Sequence, residues 1–169
     1  MSTSSRWLPL ALIVLGVFLS VFAIAFPFFS KTESGTTAAP VPSQLVGYDI
    51  ASEVTGSAAL QEFTQLHGKS FPVLSGVKAV YGTEGQVTIW TAGTASSNDT
   101  RVLLDAMRDK IAEGRSPFQP SGDQAIANRY VYALDGMGQK HFYFQSGKYL
   151  VWMASNAEVA DQALQQVLN

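Results

Sequence analysis

Two stretches decide how this chain folds: Gly76–Ala92, GVKAVYGTEGQVTIWTA, and Gly138–Ala154, GQKHFYFQSGKYLVWMA. Shifted by 62 residues they coincide at six of seventeen positions, matching Gly76, Lys78, Tyr81, Gly85, Trp90 and Ala92 with Gly138, Lys140, Tyr143, Gly147, Trp152 and Ala154. Each reads as a strand, a glycine-containing turn and a second strand ending in Trp-x-Ala. β-Branched and aromatic residues suit a pleated, half-buried surface, and glycine takes the positive φ of a tight turn. An amphipathic helix follows each copy. The pattern predicts an α+β fold, a largely antiparallel sheet backed by helices and built from two duplicated ββα units. The competing reading is coincidence, because aromatic, glycine-rich hairpins share a biased composition.

Working outward, Ser57–His67 reads as a helix capped by Thr55 or Ser57, with Leu60, Phe63 and Leu66 on one face and Gly68 after it. Strands are predicted at Val77–Tyr81 and Val87–Thr91, joined at Thr83-Glu84-Gly85. A helix from Ser97 or Asn98 to about Glu113 places Leu103, Leu104, Met107 and Ile111 together, with Arg101, Asp105 and Asp109 opposite. Arg115–Asp123 reads as a loop. Strands at Ala127–Leu134, Lys140–Gln145 and Tyr149–Ala154 follow, with turns at Asp135–Gly138 and Ser146-Gly147. Ser155-Asn156-Ala157-Glu158 reads as a capping box before a last helix bearing Val159, Ala163, Val167 and Ala160, Leu164, Leu168 in adjacent rows.

Ahead of this domain, Trp7–Phe29, WLPLALIVLGVFLSVFAIAFPFF, runs 23 residues without a charge. A helix of that length spans a bilayer core of about 30 Å at about 1.5 Å per residue. Pro9 falls in its first turn, and Trp7, Phe26, Phe28 and Phe29 sit where aromatic rings favour the interface. Four regions result: a tail at 1–6, a transmembrane helix at 7–29, a Ser/Thr/Pro-rich tether at 30–43 and an α+β domain at 44–169. Ala23-Ile24-Ala25 also fits a signal-peptidase site, but the apolar run continues past it and exceeds the ~7–15 residues of a signal core. Arg6 before the span sets the N-terminus in the cytoplasm and the domain outside the cell membrane.

The 169 residues are 47% hydrophobic and 14% charged, with 11 Lys+Arg against 13 Asp+Glu and no cysteine. A net charge of -2 supplies no drive toward a phosphate backbone, so nucleic acid is not an expected partner. The absence of cysteine excludes disulfides, thiolate metal sites and a cysteine nucleophile. Asn98-Asp99-Thr100 fits a glycosylation sequon that coincides with a helix start. Gly136-Met137-Gly138 only begins like a dinucleotide fingerprint and joins two strands, so it reads as a turn.

No catalytic signature, metal site or cofactor is expected. His67 and His141 are the only histidines, and their spacing matches no ligand pattern; a metal or haem site, or a tethered enzyme, is the alternative that would use them. Asp105 and Asp109 read as an ion-pair face with Arg101 and Arg108. Period-two alternation places Tyr130 with Tyr132, and His141 with Tyr143, away from Phe142 and Phe144. If the second sheet face is open, Tyr130, Tyr132, His141 and Tyr143 form the candidate binding surface. The expected function is that of a single-pass, membrane-anchored extracytoplasmic binding module, an accessory subunit whose partners are the lipid bilayer and another membrane protein. Sequencing the N-terminus of the cellular protein checks the anchor: Met1 or Ser2 is expected, and Phe26 would instead identify a cleaved signal peptide.

Overall fold

The computed structural model describes residues 40–67 and 70–169. The predicted span at 7–29 and most of the tether lie outside those residues; among the described ones no helix is long and apolar enough to cross a membrane.

The described chain runs β1 (Gln44–Leu45), β2 (Tyr48–Thr55), α1 (Gly56–His67), β3 (Ser75–Tyr81), β4 (Val87–Gly93), α2 (Ser97–Ala112), β5 (Phe118–Ile126), β6 (Arg129–Gly136), β7 (Gln139–Ser146), β8 (Tyr149–Ser155) and α3 (Ala160–Leu168). The eight strands form one sheet in the order β1-β2-β3-β4-β8-β7-β6-β5, and every pairing is antiparallel. The fold is therefore α+β, with three helices on an antiparallel sheet.

At the centre, β4 lies against β8 with Trp90 opposite Trp152, Val87 opposite Ser155 and Gly93 opposite Tyr149. A shift of 62 residues carries the Val87–Ser155 pair into the Gly93–Tyr149 pair, so this strand pair is symmetric about the two tryptophans. The flanking strands break the symmetry. Trp90 faces Lys78 across β3, whereas Trp152 faces Tyr143 across β7. The β3–β4 connection, Gly82–Gln86, is three residues longer than the Gly147–Lys148 turn between β7 and β8. An odd slip reverses the faces. Lys78 and Lys140, which match in sequence, thus point to opposite sides, as do Tyr81 and Tyr143.

Both faces of the sheet are covered. On one, Ala79, Tyr81, Val87, Ile89, Val131, Phe142, Phe144, Val151 and Met153 pack against Ala160, Ala163, Leu164 and Leu168 of α3, with Leu45 and the flank of Val41. The Tyr81 hydroxyl donates to the Pro42 carbonyl at 2.7 Å, so packing begins just before the expected boundary at Gln44. On the other face Leu104, Met107 and Ile111 of α2 cover Leu134, Tyr143, Leu150 and Trp152. The rows expected on α2 and α3 are the rows that face the sheet, but Leu66 of α1 is 68% exposed and Ala59 takes its place with Phe63.

Several local expectations need correction. The cap of α2 is Ser96, whose Oγ accepts from the Asp99 N–H at 3.2 Å, not Ser97 or Asn98. The Ser155–Glu158 capping box does not form. Ser155 is the last residue of β8, and α3 begins after Val159 without a side-chain cap. β5 takes up residues 118–123 of the expected loop at Arg115–Asp123: it is an edge strand, exposed along most of its length and interrupted by a bulge between Pro120 and Gly122, so it carries no alternation to read. The β5–β6 turn is Ala127-Asn128, both at positive φ, and not the start of a strand. β2 also escapes the sequence, because its side chains are mostly exposed on both faces.

Gly76 shows how closely α1 sits. A Cβ there would meet Phe63 at 3.0 Å and Ala59 and Leu60 at 3.2 Å. Gly76→Val should push α1 off β3 and cost ~1–3 kcal/mol, measured as a lower denaturation midpoint in urea. An unchanged midpoint would show that α1 does not bear on that strand.

Candidate functional site

The four residues expected to form a binding surface do share one face. Alternation along β6 and β7, with Tyr132 opposite Tyr143 and Leu134 opposite His141, directs Tyr130, Tyr132, His141 and Tyr143 to the side that carries α2. Trp152 of β8 completes a row of rings. Tyr130 meets Tyr132 edge to face at 5.0 Å, Tyr132 stacks on Tyr143 at 4.8 Å, and Tyr143 stacks on Trp152 at 5.4 Å. Phe118, in the segment read as a loop, closes the far end against Trp152 at 5.1 Å and His141 at 4.8 Å.

This face is not open. Helix α2 roofs it, leaving Tyr143 at 2% and His141 at 4% exposure, while Tyr130 at the sheet's end keeps 54%. Tyr132 is half-buried. The Tyr130 end is the most exposed part of the row, and Trp152 and Phe118 at the other end are half-buried.

His141 is built into the fold through both ring nitrogens. The Trp152 indole N–H donates to Nδ1 at 3.1 Å, and Nε2 lies 3.0 Å from the Gly136 carbonyl. An indole can only donate, so Nδ1 is the bare nitrogen and Nε2–H donates to the carbonyl. The ring is neutral. Burial lowers its pKa below the ordinary 6.5, outweighing the Gly136 carbonyl and the Asp135 charge, which favour the cation. Burial also pushes the Tyr143 hydroxyl up to about 12. His67 sits elsewhere, at the end of α1, with Nδ1 2.8 Å from the Phe63 carbonyl and its ring against Phe71. Among the described residues no three His, Cys, Asp or Glu side chains gather as a metal site would require.

Beside the exposed end of the row lies an open groove of about 600 Å³, between α2 and the ends of β6 and β7. Tyr130 and Tyr132 line it together with Arg101 and Asp105 from α2, Arg129 from β6 and Gln145 from β7. Its walls are tied. The Gln145 side-chain amide donates to the Ser97 carbonyl at 2.7 Å and the Gly147 carbonyl at 2.8 Å, and Arg129 donates to the Leu168 carbonyl. Asp105 is held by Arg108 at 3.1 Å, which also binds Asp109 at 2.9 Å. The expected ion-pair face thus forms around Arg108 and leaves Arg101 out. Sequence reading found the tyrosines by alternation, but missed Gln145, whose role depends on a turn and a helix start meeting in space, and Arg129, which reaches the end of α3.

No protein-family model, curated protein or solved structure matches this chain.

Two measurements check the account of His141. As pH falls below about 6.5 the unfolded chain takes up a proton that the folded ring resists, so stability should drop until the folded ring itself protonates. His141→Gln should flatten that part of the melting-temperature profile between about pH 7 and pH 5. The two tryptophans should also separate. Trp90 has a buried indole N–H with no partner among the described residues, whereas Trp152→Phe would strand the His141 acceptor at a cost of ~1–3 kcal/mol beyond lost packing. Trp152→Phe should therefore destabilise more than Trp90→Phe in matched urea titrations, and equal costs would refute the His141 bond.

Proposed function

We propose that this chain is a single-pass protein of the cell membrane, N-terminus cytoplasmic, whose extracytoplasmic domain acts by binding, as an accessory subunit beside another membrane protein. The observation that carries this reading is the uncharged 23-residue run Trp7–Phe29 followed by a Ser/Thr/Pro tether. The domain adds support through the way its polar groups are committed. His141, the centre of the rival reading as a tethered enzyme or a metal or haem protein paired with His67, has no free lone pair unless the Trp152 bond breaks. The accessible polar and aromatic groups instead line an open groove, a shape that receives a ligand or a partner. The finer reading of the fold, two duplicated ββα units, is supported by the symmetric β4–β8 register and not by β3 and β7.

The test is extraction of membranes with alkaline carbonate. The whole chain should stay in the pellet, while residues 40–169 expressed alone should appear in the soluble fraction. Release of the whole chain would overturn the anchor. Purification in mild detergent should then retain a second membrane protein in a fixed ratio.

A further inference from the structure

We propose that the outer edge of β5 docks an extended segment of a partner polypeptide, which adds to the sheet as an antiparallel strand through Asp123 and Ala125. This deepens the reading of the domain as a binding module and rests on it. The backbone of the β5–β6 hairpin sets which groups face outward. Ala127 and Asn128, with φ of 46° and 62°, form a two-residue turn between Ile126 and Arg129. The residues flanking such a turn exchange both of their hydrogen bonds, and bonded and non-bonded pairs then alternate along the ladder. Gln124 and Gly122 therefore bond inward to Val131 and Ala133, while Asp123 and Ala125 hold their N–H and C=O groups away from β6. Beyond the bulge the outward positions fall on Pro120 and Phe118. Phe118 shows that direction in its contacts: the Ser116 hydroxyl accepts from its N–H at 3.3 Å and donates to its carbonyl at 3.2 Å.

The edge is guarded along one half and open along the other. An unpaired edge is a template for another strand, and proteins blunt it with proline, bulges or local cover. Phe118 is capped by Ser116, Pro120 has no N–H to offer, and the bulge between Pro120 and Gly122 breaks the line. From Gly122 to Ile126 no such device occurs, and the outward groups of Asp123 and Ala125 meet no partner among the described residues. Side chains specify the occupant. Asp123 shares its face of the sheet with Tyr132, and Ala125 shares it with Tyr130. Asp123 accepts from the Tyr130 hydroxyl at 3.4 Å and has no cation paired with it among the described residues, so a Lys or Arg opposite it on the added strand completes an ion pair. Ala125 places only a methyl group beside the exposed Tyr130 ring, which leaves the ring's flank open to a large apolar side chain opposite Ala125. In an antiparallel strand that apolar residue precedes the basic one by two positions. A second copy of this chain fits less well: pairing β5 with its twin so that both outward residues bond sets the two Asp123 carboxylates diagonally on one face.

The full chain in detergent micelles, followed by NMR of its backbone amides, tests this with the peptide acetyl-Thr-Ile-Thr-Lys-Thr-amide. Saturable shifts are expected at the Asp123 and Ala125 amides, with hydrogen exchange at both slowed by about 10-fold or more, while Gly122 and Gln124, already bonded inward, change little. Exchanging the peptide's Lys for Glu should weaken binding by about 3-fold or more, the scale of an exposed charge pair, and Asp123→Lys should reverse that preference. Ala125→Pro removes one outward N–H without touching the β5–β6 ladder, and should weaken binding by about 10-fold. N-methylation of the peptide at Ile and Lys removes the same ladder from the other side, on the unaltered protein, and should abolish the shifts. The proposal fails if the shifts at these amides do not saturate, if the N-methylated peptide binds as well as its parent, or if the Lys and Glu peptides bind alike. Protection of Asp123 and Ala125 that rises with protein concentration alone would put a second copy on the edge and overturn the partner proposed. A chain that stays in carbonate-washed membranes and retains a partner while showing any of these results would lose this site and keep the binding-module reading.

Discussion

The pairing of β4 with β8 governs the rest of the domain. It joins the β1–β4 half of the sheet to the β5–β8 half, and its register, Trp90 on Trp152, determines which side chains of all the neighbouring strands face which layer. Successive residues of a strand point to opposite faces, so a slip of one residue at this seam would turn Ile89 and Met153 toward α2 and the tryptophans toward α3. The pattern tolerates no such slip, because each face has its own helical cover. Aliphatic and phenylalanine side chains lie beneath α3, and tyrosines, Trp152 and His141 lie beneath α2.

The difference between the two layers has consequences for polar groups. On the α3 face the packed side chains are mostly apolar, and the buried hydroxyls of Tyr81 and Ser155 donate to the Pro42 and Asn156 carbonyls. Beneath α2 the rings carry donors and acceptors into a region without water, where an unpaired group costs roughly 1–3 kcal/mol. The chain of Trp152 to His141 to Gly136 satisfies an indole N–H and both imidazole nitrogens and pins the turn between β6 and β7. Trp90, at the symmetric position, lacks that arrangement and leaves its N–H without a partner among the described residues. The two halves of the seam are thus alike in backbone and different in chemistry, because the shorter β7–β8 turn brings Tyr143, and not a lysine, opposite Trp152.

Coverage by α2 also decides where the aromatic row can act. The roof ends before Tyr130, and there the groove opens between α2 and the tips of β6 and β7. Charge follows the same geometry: Arg108 pairs with both Asp105 and Asp109, and Asp105 lines the groove with Arg101 one turn earlier. A domain of this form offers an opening at the end of a buried ring stack, lined by aromatic, polar and charged side chains.

Local pattern alone was enough to determine the α+β class, the hairpins around Trp90 and Trp152, the inward rows of α2 and α3, and the shared face of Tyr130, Tyr132, His141 and Tyr143, because periods of 2 and 3.6 are properties of the backbone that the order of residues displays directly. The outer strands β2 and β5 were illegible, since side chains exposed on both faces leave no alternation to detect. The three-residue slip between β3 and β7 was hidden in the length of two turns. What only the tertiary structure decided was coverage: which face α2 would roof, that His141 and Tyr143 would lie under it as structural groups, and that Arg101, Asp105 and Gln145 would line a groove beside Tyr130. Burial and convergence depend on elements distant in the chain packing together, and no local period records that.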